Sequence, residues 1–507
     1  MRSRIVCCDT EMSGQDVVVV GAGNAALCSA LAAADSGSAV RVLEFAPIEA
    51  RGGNSAFTGG AMRVPFQGTT DLLELMPDLS QEDQDVADFG TYSEGQFFKD
   101  MARVTESRAD PDLVEVLVTK SFPTLCWMRE NGVRFQPSYG RQAFKIDGKF
   151  RFWGGLAVEI NGGGPGLIDQ LMAAVERRNV EIQYESRAIE LLYDGNAVRG
   201  VKVRRRGETY DVPAAAVVLA SGGFEANREW RTRYLGPGWD LAKVRGTRFN
   251  LGDGIRMALD IGASSAGHWS GCHAVAWDMN SPEFGDLAVG DGFQKHSYPL
   301  GIMVNAHGQR FVDEGADFRN FTYAKYGRRI LEQPGHFAWQ IFDSKVSELL
   351  RSEYRIRQVT TVKANTLQEL ASGLDGVDGP EFLNTVAEFN ACVDHNVEFN
   401  PNVKDGRSTL GLDPPKSNWA TTISEPPFEA YMVTCGITFT FGGLRIDTAA
   451  RVLDDFGKPI PGLYAAGELV GDLFYFNYPG GTGLTSGAVF GRLAGTGAAQ
   501  FARGEIS

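Results

Sequence analysis

The sequence predicts an α/β fold, a parallel sheet with an antiparallel meander whose two parts are separated by an inserted α+β unit. Three observations predict it. The run Asp16-Val17-Val18-Val19-Val20 leads through Gly21-Ala22-Gly23-Asn24-Ala25-Ala26 into an alanine-rich stretch and a second apolar run, Ala39 to Glu44. Strand-like runs followed by helix-like runs recur through the first half, as a parallel sheet with helices on its faces requires. Near the other end, Gly462-Leu463-Tyr464-Ala465-Ala466-Gly467-Glu468 reads as another buried strand closed by a glycine and an acid.

The first turn is the most informative element. In a strand-turn-helix, Gly21 permits the tight turn and Gly23 lets backbone approach a pyrophosphate. The small Ala26 lets helix pack on strand, while the helix N-terminus faces the phosphates. Glu44 follows at roughly the 20-residue spacing of an acid that binds ribose hydroxyls. The pattern is that of a Rossmann-like dinucleotide site. Val180 to Tyr184 then leads into Arg187 to Leu192, Gly200 to Val203 and Tyr210 to Val212, a small antiparallel meander. The run Ala214 to Ala220 is apolar throughout, as a strand covered on both faces should be, and it stops at Ser221-Gly222-Gly223-Phe224. From about His273 to Glu425 the texture changes to polar helical segments with Pro and Trp interspersed, which predicts an inserted domain. The expected organisation is a tail (1–14), a first nucleotide-binding part (15–272), an inserted unit (273–425) and a second nucleotide-binding part (426–507).

Composition narrows the function classes. Hydrophobic residues make up 43% and charged residues 22% of the 507, the balance of an ordinary soluble protein. A formal charge of -14 repels phosphate backbones and anionic membranes, which argues against nucleic acid as a partner. The cysteines (Cys7, Cys8, Cys28, Cys126, Cys272, Cys392, Cys435) show no CxxC and no pairing pattern, so reduced thiols, a cytoplasmic location and no metal cluster are expected. Val17 to Ala34 is apolar enough to imitate a secretion signal. Asp9, Glu11 and Asp16 stand where such a signal wants positive charge, and no other segment approaches a transmembrane span.

Arg51-Gly52-Gly53-Asn54-Ser55 to Arg63 is too glycine-rich for a packed element, so its backbone must approach something flat or phosphorylated. Together with Gly252-Asp253-Gly254, Arg310-Phe311-Val312-Asp313-Glu314, Gly462 to Glu468 and Gly480-Gly481-Thr482-Gly483-Leu484-Thr485, it resembles the flavoprotein family of fumarate reductase, succinate dehydrogenase flavoprotein subunit and 3-ketosteroid 1-dehydrogenase. Within that family Gly23 to Cys28, Arg51 to Ser55, Gly222-Gly223-Phe224-Glu225 and Arg245 to Asn250 are most similar to tricarballylate dehydrogenase. The resemblance implies an FAD domain built from both ends of the chain, with a mobile capping domain clamping substrate against the flavin. By the same resemblance Gly21 and Gly23 would hold the pyrophosphate and Glu44 the ribose. Gly53, Asn54, Ser55 and Gly60 would lie along the flavin, and Ala188 would meet adenine. Asp253 and Glu468 would contact the cofactor, and Gly483 with Leu484 would bring a helix N-terminus to the isoalloxazine. Membrane-bound relatives carry a flavin-linking histidine in the region where Asn54 stands here, which implies noncovalent FAD.

Enzymes of this class move hydrogen across a C–C bond next to an electron-withdrawing group, so they need an acid or base over the flavin and a clamp for the activating group. The family's proton donor sits four residues after the acid of the Arg310 to Glu314 run. That place is Phe318 and the next is Arg319, which makes Arg319 and Tyr323 the two candidates. An exposed Arg319 paired with Asp317 or Asp313 would be the structural alternative. His273 falls near the family's substrate-binding histidine. Phe474 and Tyr478 stand where fumarate reductases place a carboxylate-binding histidine and arginine, and Gln294 and Ser297 where they place a proton relay. Tyr478-Pro479-Gly480-Gly481 instead resembles the ketosteroid dehydrogenases, in which the tyrosine polarises a ketone. Three readings stay open at this point. One is a tricarballylate-like dehydrogenase for a carboxylate or carbonyl substrate, another a ketosteroid-type desaturase, and the third a flavin-binding redox sensor or carrier without turnover. Either enzyme would pass electrons to a separate quinone, electron-transfer protein or oxygen.

Overall fold

A computed structural model describes residues 15–506, and the expected tail with Cys7 and Cys8 lies outside them. Strand β1 (Gln15–Val20), helix α1 (Asn24–Asp35) and strand β2 (Val40–Leu43) form the predicted strand-turn-helix-strand. Strand β3 (Glu181–Gln183) continues the sheet beyond β2. The meander follows as β4 (Arg187–Tyr193), β5 (Val198–Arg205) and β6 (Glu208–Leu219).

β6 does two jobs, which explains its change of texture. Its first half pairs antiparallel with β5, Val201 opposite Val212, and alternates between exposed and buried positions. Its second half is covered on both faces and pairs parallel with β1, Val18 opposite Val217.

The other long strands belong to a second sheet. They are β7 (Ser265–Asp278), β8 (Phe337–Phe342) and β9 (Phe428–Leu444). β9 pairs with β8 through its first half, Gln340 opposite Tyr431, and with β7 along most of its length. Around β8 a second core packs, with Trp339, Phe382, Val386 and Phe389 buried together with Phe428 and Ala430 of β9. Residues 273–425 combine β8 with helices such as Tyr323–Leu331 and Gly379–Cys392, an α+β mixture.

Strand β10 (Pro459–Ala465) returns to the first sheet and pairs parallel with β6, Val218 opposite Tyr464. Both ends of the chain thus build one sheet. Helix α2 (Thr482–Ala502) closes the fold, and Asn24 at the start of α1 donates its side-chain amide to Leu484 O at 2.8 Å, tying the two helix N-termini together. Among the described residues no helix is long and apolar enough to cross a membrane.

Candidate active site

One cleft of about 1750 Å³, counting its open mouth, runs from the β1–α1 turn to His273, Tyr323 and Tyr478. Every site residue expected from the sequence lines it except Ala26, which is fully buried inside α1 where it packs in the core.

The end at the β1–α1 turn is shaped for a nucleotide. Gly21 adopts a φ of 107°, and a Cβ there would lie 2.4 Å from Ala220 O, so the turn closes only around hydrogen. Glu44 directly follows β2, with its carboxylate buried and accepting the Ala46 amide at 2.7 Å. Ala188 lies on β4. Asp253 also lines the cleft, but Arg187 engages both its oxygens at 2.8 Å, so its carboxylate is already paired.

Burial pushes the Glu44 carboxyl up to about 7. Without a nucleotide the folded state keeps this proton between the ordinary carboxylate range and about pH 7, where the unfolded chain has lost it. Stability therefore falls as pH rises through that window and levels off above it, by about 3 kcal/mol for this group. Glu44→Gln keeps the shape without the charge. The FAD-free variant is expected to lose less Tm than the parent between about pH 5 and about pH 7.5, and equal slopes in a thermal melt series would refute this.

The middle of the cleft is held by a network around Asn54. Its side chain donates to Glu225 Oε1 at 2.7 Å and Thr438 O at 2.6 Å and accepts from Thr247 N at 2.9 Å. Ser55 Oγ accepts the Asn24 amide at 3.1 Å, which joins this loop to α1. Glu468 accepts Thr440 N at 2.9 Å and faces Glu225. Burial raises both carboxyls, and the neighbouring Glu468 charge raises Glu225 further. Glu225 was quoted above only as part of a family segment. Its role as the anchor of Asn54 depends on a contact across 171 residues and carries no local signal.

The far end is an aromatic chamber. The ring of His273 stands 4.9 Å from Tyr323, 4.9 Å from Tyr478 and 5.2 Å from Phe439, and neither of its nitrogens has a partner. Burial, and the nearby Arg245 cation, hold its imidazole well below the ordinary range, so it is neutral. The Tyr323 and Tyr478 hydroxyls hydrogen-bond to one another. Burial raises both phenols. For Tyr323 the Tyr478 hydrogen bond, Arg245 and Arg319 work the other way, whereas the Tyr323 hydroxyl pushes Tyr478 up further. Phe474 packs edge-on to Tyr478 at 5.5 Å, one wall of the chamber.

Arg319 is 7% exposed, so the alternative of a solvated surface arginine does not hold. Asp317 pairs instead with Arg103 at 2.5 Å, and Asp313 receives Ser417. Arg319 donates to Arg141 O at 2.6 Å, and its other terminal nitrogen lies 3.3 Å from His296 Nδ1. The His296 ring is 5.0 Å from Tyr323, so Arg319 adjoins the tyrosine pair through an imidazole. Gln294 turns its amide to Asp291 at 2.6 Å, and the Ser297 hydroxyl accepts the Arg351 amide at 3.3 Å. Arg141, Asp291 and His296 carry no local signal in the sequence, and Arg245 appears there only inside a family segment; the four come from three separate stretches of chain.

A glycine-lined nucleotide cradle opens on a chamber with two phenols and an unpartnered histidine, and the protein's relatives show it to be a flavin-dependent oxidoreductase acting on CH–CH groups. The FAD binding domain family model matches residues 16–484. The chain is 30% identical to a fumarate reductase (cytochrome) of Shewanella frigidimarina, over 96% of this chain and 77% of that protein. It is 29% identical to 4-oxocyclohexanecarboxylate 2-dehydrogenase of Sinomonas cyclohexanicum, over 96% of this chain and 93% of that protein. In fold it matches the 3-ketosteroid Δ1-dehydrogenase of Sterolibacterium denitrificans with a TM-score of 0.73 at 24% identity, covering 96% of this chain and 99% of that one. The chain belongs to the FAD-binding oxidoreductase family that includes fumarate reductase. The cradle fits that cofactor: Gly21 and Gly23 leave backbone bare at the turn, and Glu44 stands ready to accept from ribose hydroxyls.

Proposed function

We propose that the protein desaturates, or in the opposite direction reduces, a C–C bond adjacent to a carbonyl, with Tyr478 polarising the carbonyl and Tyr323 moving the proton. The hydrogen-bonded tyrosine pair beside the neutral, unpartnered His273 carries this reading. Bound FAD supplies the acceptor, or in reduction the donor, of the hydride. Burial opposes ionisation of Tyr323, and the adjacent Arg319 and Arg245 cations work against that burial and favour its phenolate. Tyr323 takes the proton from the carbon next to the carbonyl. Tyr478, whose phenol burial holds in the protonated form, donates a hydrogen bond to the oxygen where charge develops. His273 orients the substrate through its free ring nitrogens. Arg319 acts through His296 on Tyr323. Residues 273–425 form the capping unit that shuts the chamber, and Asn54, which carries an amide already hydrogen-bonded at both ends, leaves FAD noncovalent. Electrons then leave through a separate acceptor.

Anaerobic mixing of the yellow protein with 4-oxocyclohexanecarboxylate, tricarballylate and a 3-ketosteroid tests the reading, with bleaching of the flavin absorbance as the signal. At least one ketone is expected to bleach it. Bleaching by tricarballylate alone would overturn the carbonyl assignment and restore the tricarballylate-like alternative. Silence with all three, together with no reoxidation of reduced protein by the corresponding unsaturated products, would leave a flavin-binding carrier.

A further inference from the structure

Beside the tyrosine chamber lies a concentration of positive charge, of which the proton step draws only on Arg245 and Arg319 and leaves Arg141 and Arg351 without a role. Arg141, Arg245 and Arg319 all line the cleft. Asp291 receives Arg245 at 2.6 and 2.8 Å through one oxygen and Arg141 at 2.9 Å through the other, so it holds two guanidinium groups side by side. Arg141 lies directly over the flavin-lining loop, since a Cβ on Gly59 would come within 2.4 Å of its Cζ. Arg319 is tied to Arg141 O, and its buried Nε has no partner. Arg351, 8% exposed, donates to Gly140 O at 2.9 Å behind them.

The negative charges facing this group are few. Asp291 and Glu353 are buried, and Glu159, half-buried, is already held by Gln136 at 2.9 Å and Ser138 at 2.6 Å. Four guanidinium groups therefore face two buried carboxylates and one occupied, more exposed one. Desolvated cations in excess are costly unless an anion joins them. A guanidinium pair fixed on one carboxylate presents its remaining N–H groups as a fork that suits a second carboxylate.

Resting on the carbonyl reading above, we propose that the substrate is an oxo-carboxylate, its carbonyl at Tyr478 and its carboxylate bound by Arg141 and Arg245 as positioned by Asp291, with Arg319 closing the anion subsite. This separates the two groups that the sequence left as alternatives: the tyrosines serve the carbonyl and the arginines the carboxylate. A neutral steroid ketone would leave the guanidinium cluster unmatched.

The holoenzyme is titrated with 4-oxocyclohexanecarboxylate and with its methyl ester, reading both the perturbation of the bound-flavin spectrum and the rate of flavin reduction. The acid is expected to bind at least about tenfold more tightly than the ester, as a charge-assisted bidentate contact should give. Arg141→Gln is expected to weaken the acid by about 10- to 100-fold and the ester by less than about twofold, with Arg141→Lys intermediate. Arg141 is the residue to change first because it is partly exposed, whereas Arg245→Gln would strand Asp291, and FAD content and Tm report whether each variant folds. Equal binding of acid and ester by the parent protein, or equal weakening of both by Arg141→Gln, would overturn the anion subsite. Tight, arginine-dependent binding of the acid with no flavin reduction would support the subsite while failing the proposed reaction.

Discussion

Tyr478→Phe is expected to lower kcat by about 10²-fold or more while FAD content and the flavin spectrum stay those of the parent. The magnitude is that of removing one hydrogen-bond donor aimed at a developing oxyanion in a water-excluded site. The phenol is buried, and its only hydrogen-bonding hydroxyl neighbour in the chamber is Tyr323. Loss of the oxygen therefore removes the donor and changes little packing, since Phe439, Phe474 and the His273 ring still hold the aromatic body. Because the interaction strengthens as charge builds on the carbonyl oxygen, the loss should fall on kcat more than on KM. Tyr323→Phe should be at least as damaging, and the double variant should cost little more than the worse single one if the two phenols act as a unit. A Tyr478→Phe enzyme within about twofold of the parent would remove the hydroxyl from the reaction, since no oxyanion donor is worth so little.

The nucleotide half of this site is legible in the sequence because its determinants are local. Gly21, Gly23 and Glu44 are placed by one strand-turn-helix-strand, and each does its work through backbone or a single carboxylate. The apolar run Ala214 to Ala220 and the strand near Gly462 are legible for the same reason, since a strand covered on both faces must be apolar. Their pairing, Val217 opposite Leu463, closes the sheet from both ends of the chain. The chamber is a different matter. Tyr323 and Tyr478 meet across 155 residues, and Arg319 reaches His296 across 23 and Arg141 across 178. Family order brought the tyrosines and Arg319 to notice. Nothing around Arg141 or Asp291 marks them, because a charge cluster assembled from separate segments has no periodicity and no spacing.

Gly21→Ala and Gly23→Ala are expected to fail in different ways, which separates the turn from the ligand it holds. At Gly21 the backbone is left-handed, with φ at 107°, and the new Cβ would lie 2.4 Å from Ala220 O, directly after the strand β6 that must stay beside β1. Strain of this kind and overpacking each cost about 1–3 kcal/mol. The protein should therefore lose Tm even when stripped of FAD, and FAD affinity should drop by roughly 10² to 10³ as the turn shifts. At Gly23 φ is −80°, an ordinary value, and a Cβ would find Gly52 O and Ser55 Oγ no nearer than 3.5 Å. The FAD-free Gly23→Ala protein should thus melt like the parent. Its loss should appear only on adding FAD, because the methyl group occupies the approach that the pyrophosphate needs. Calorimetric titration of FAD into the two apoproteins, paired with melts without it, reads the difference. A Gly23→Ala protein that binds FAD normally would mean that the pyrophosphate does not pass over this turn, and the assignment of the cleft's nucleotide end would have to be abandoned.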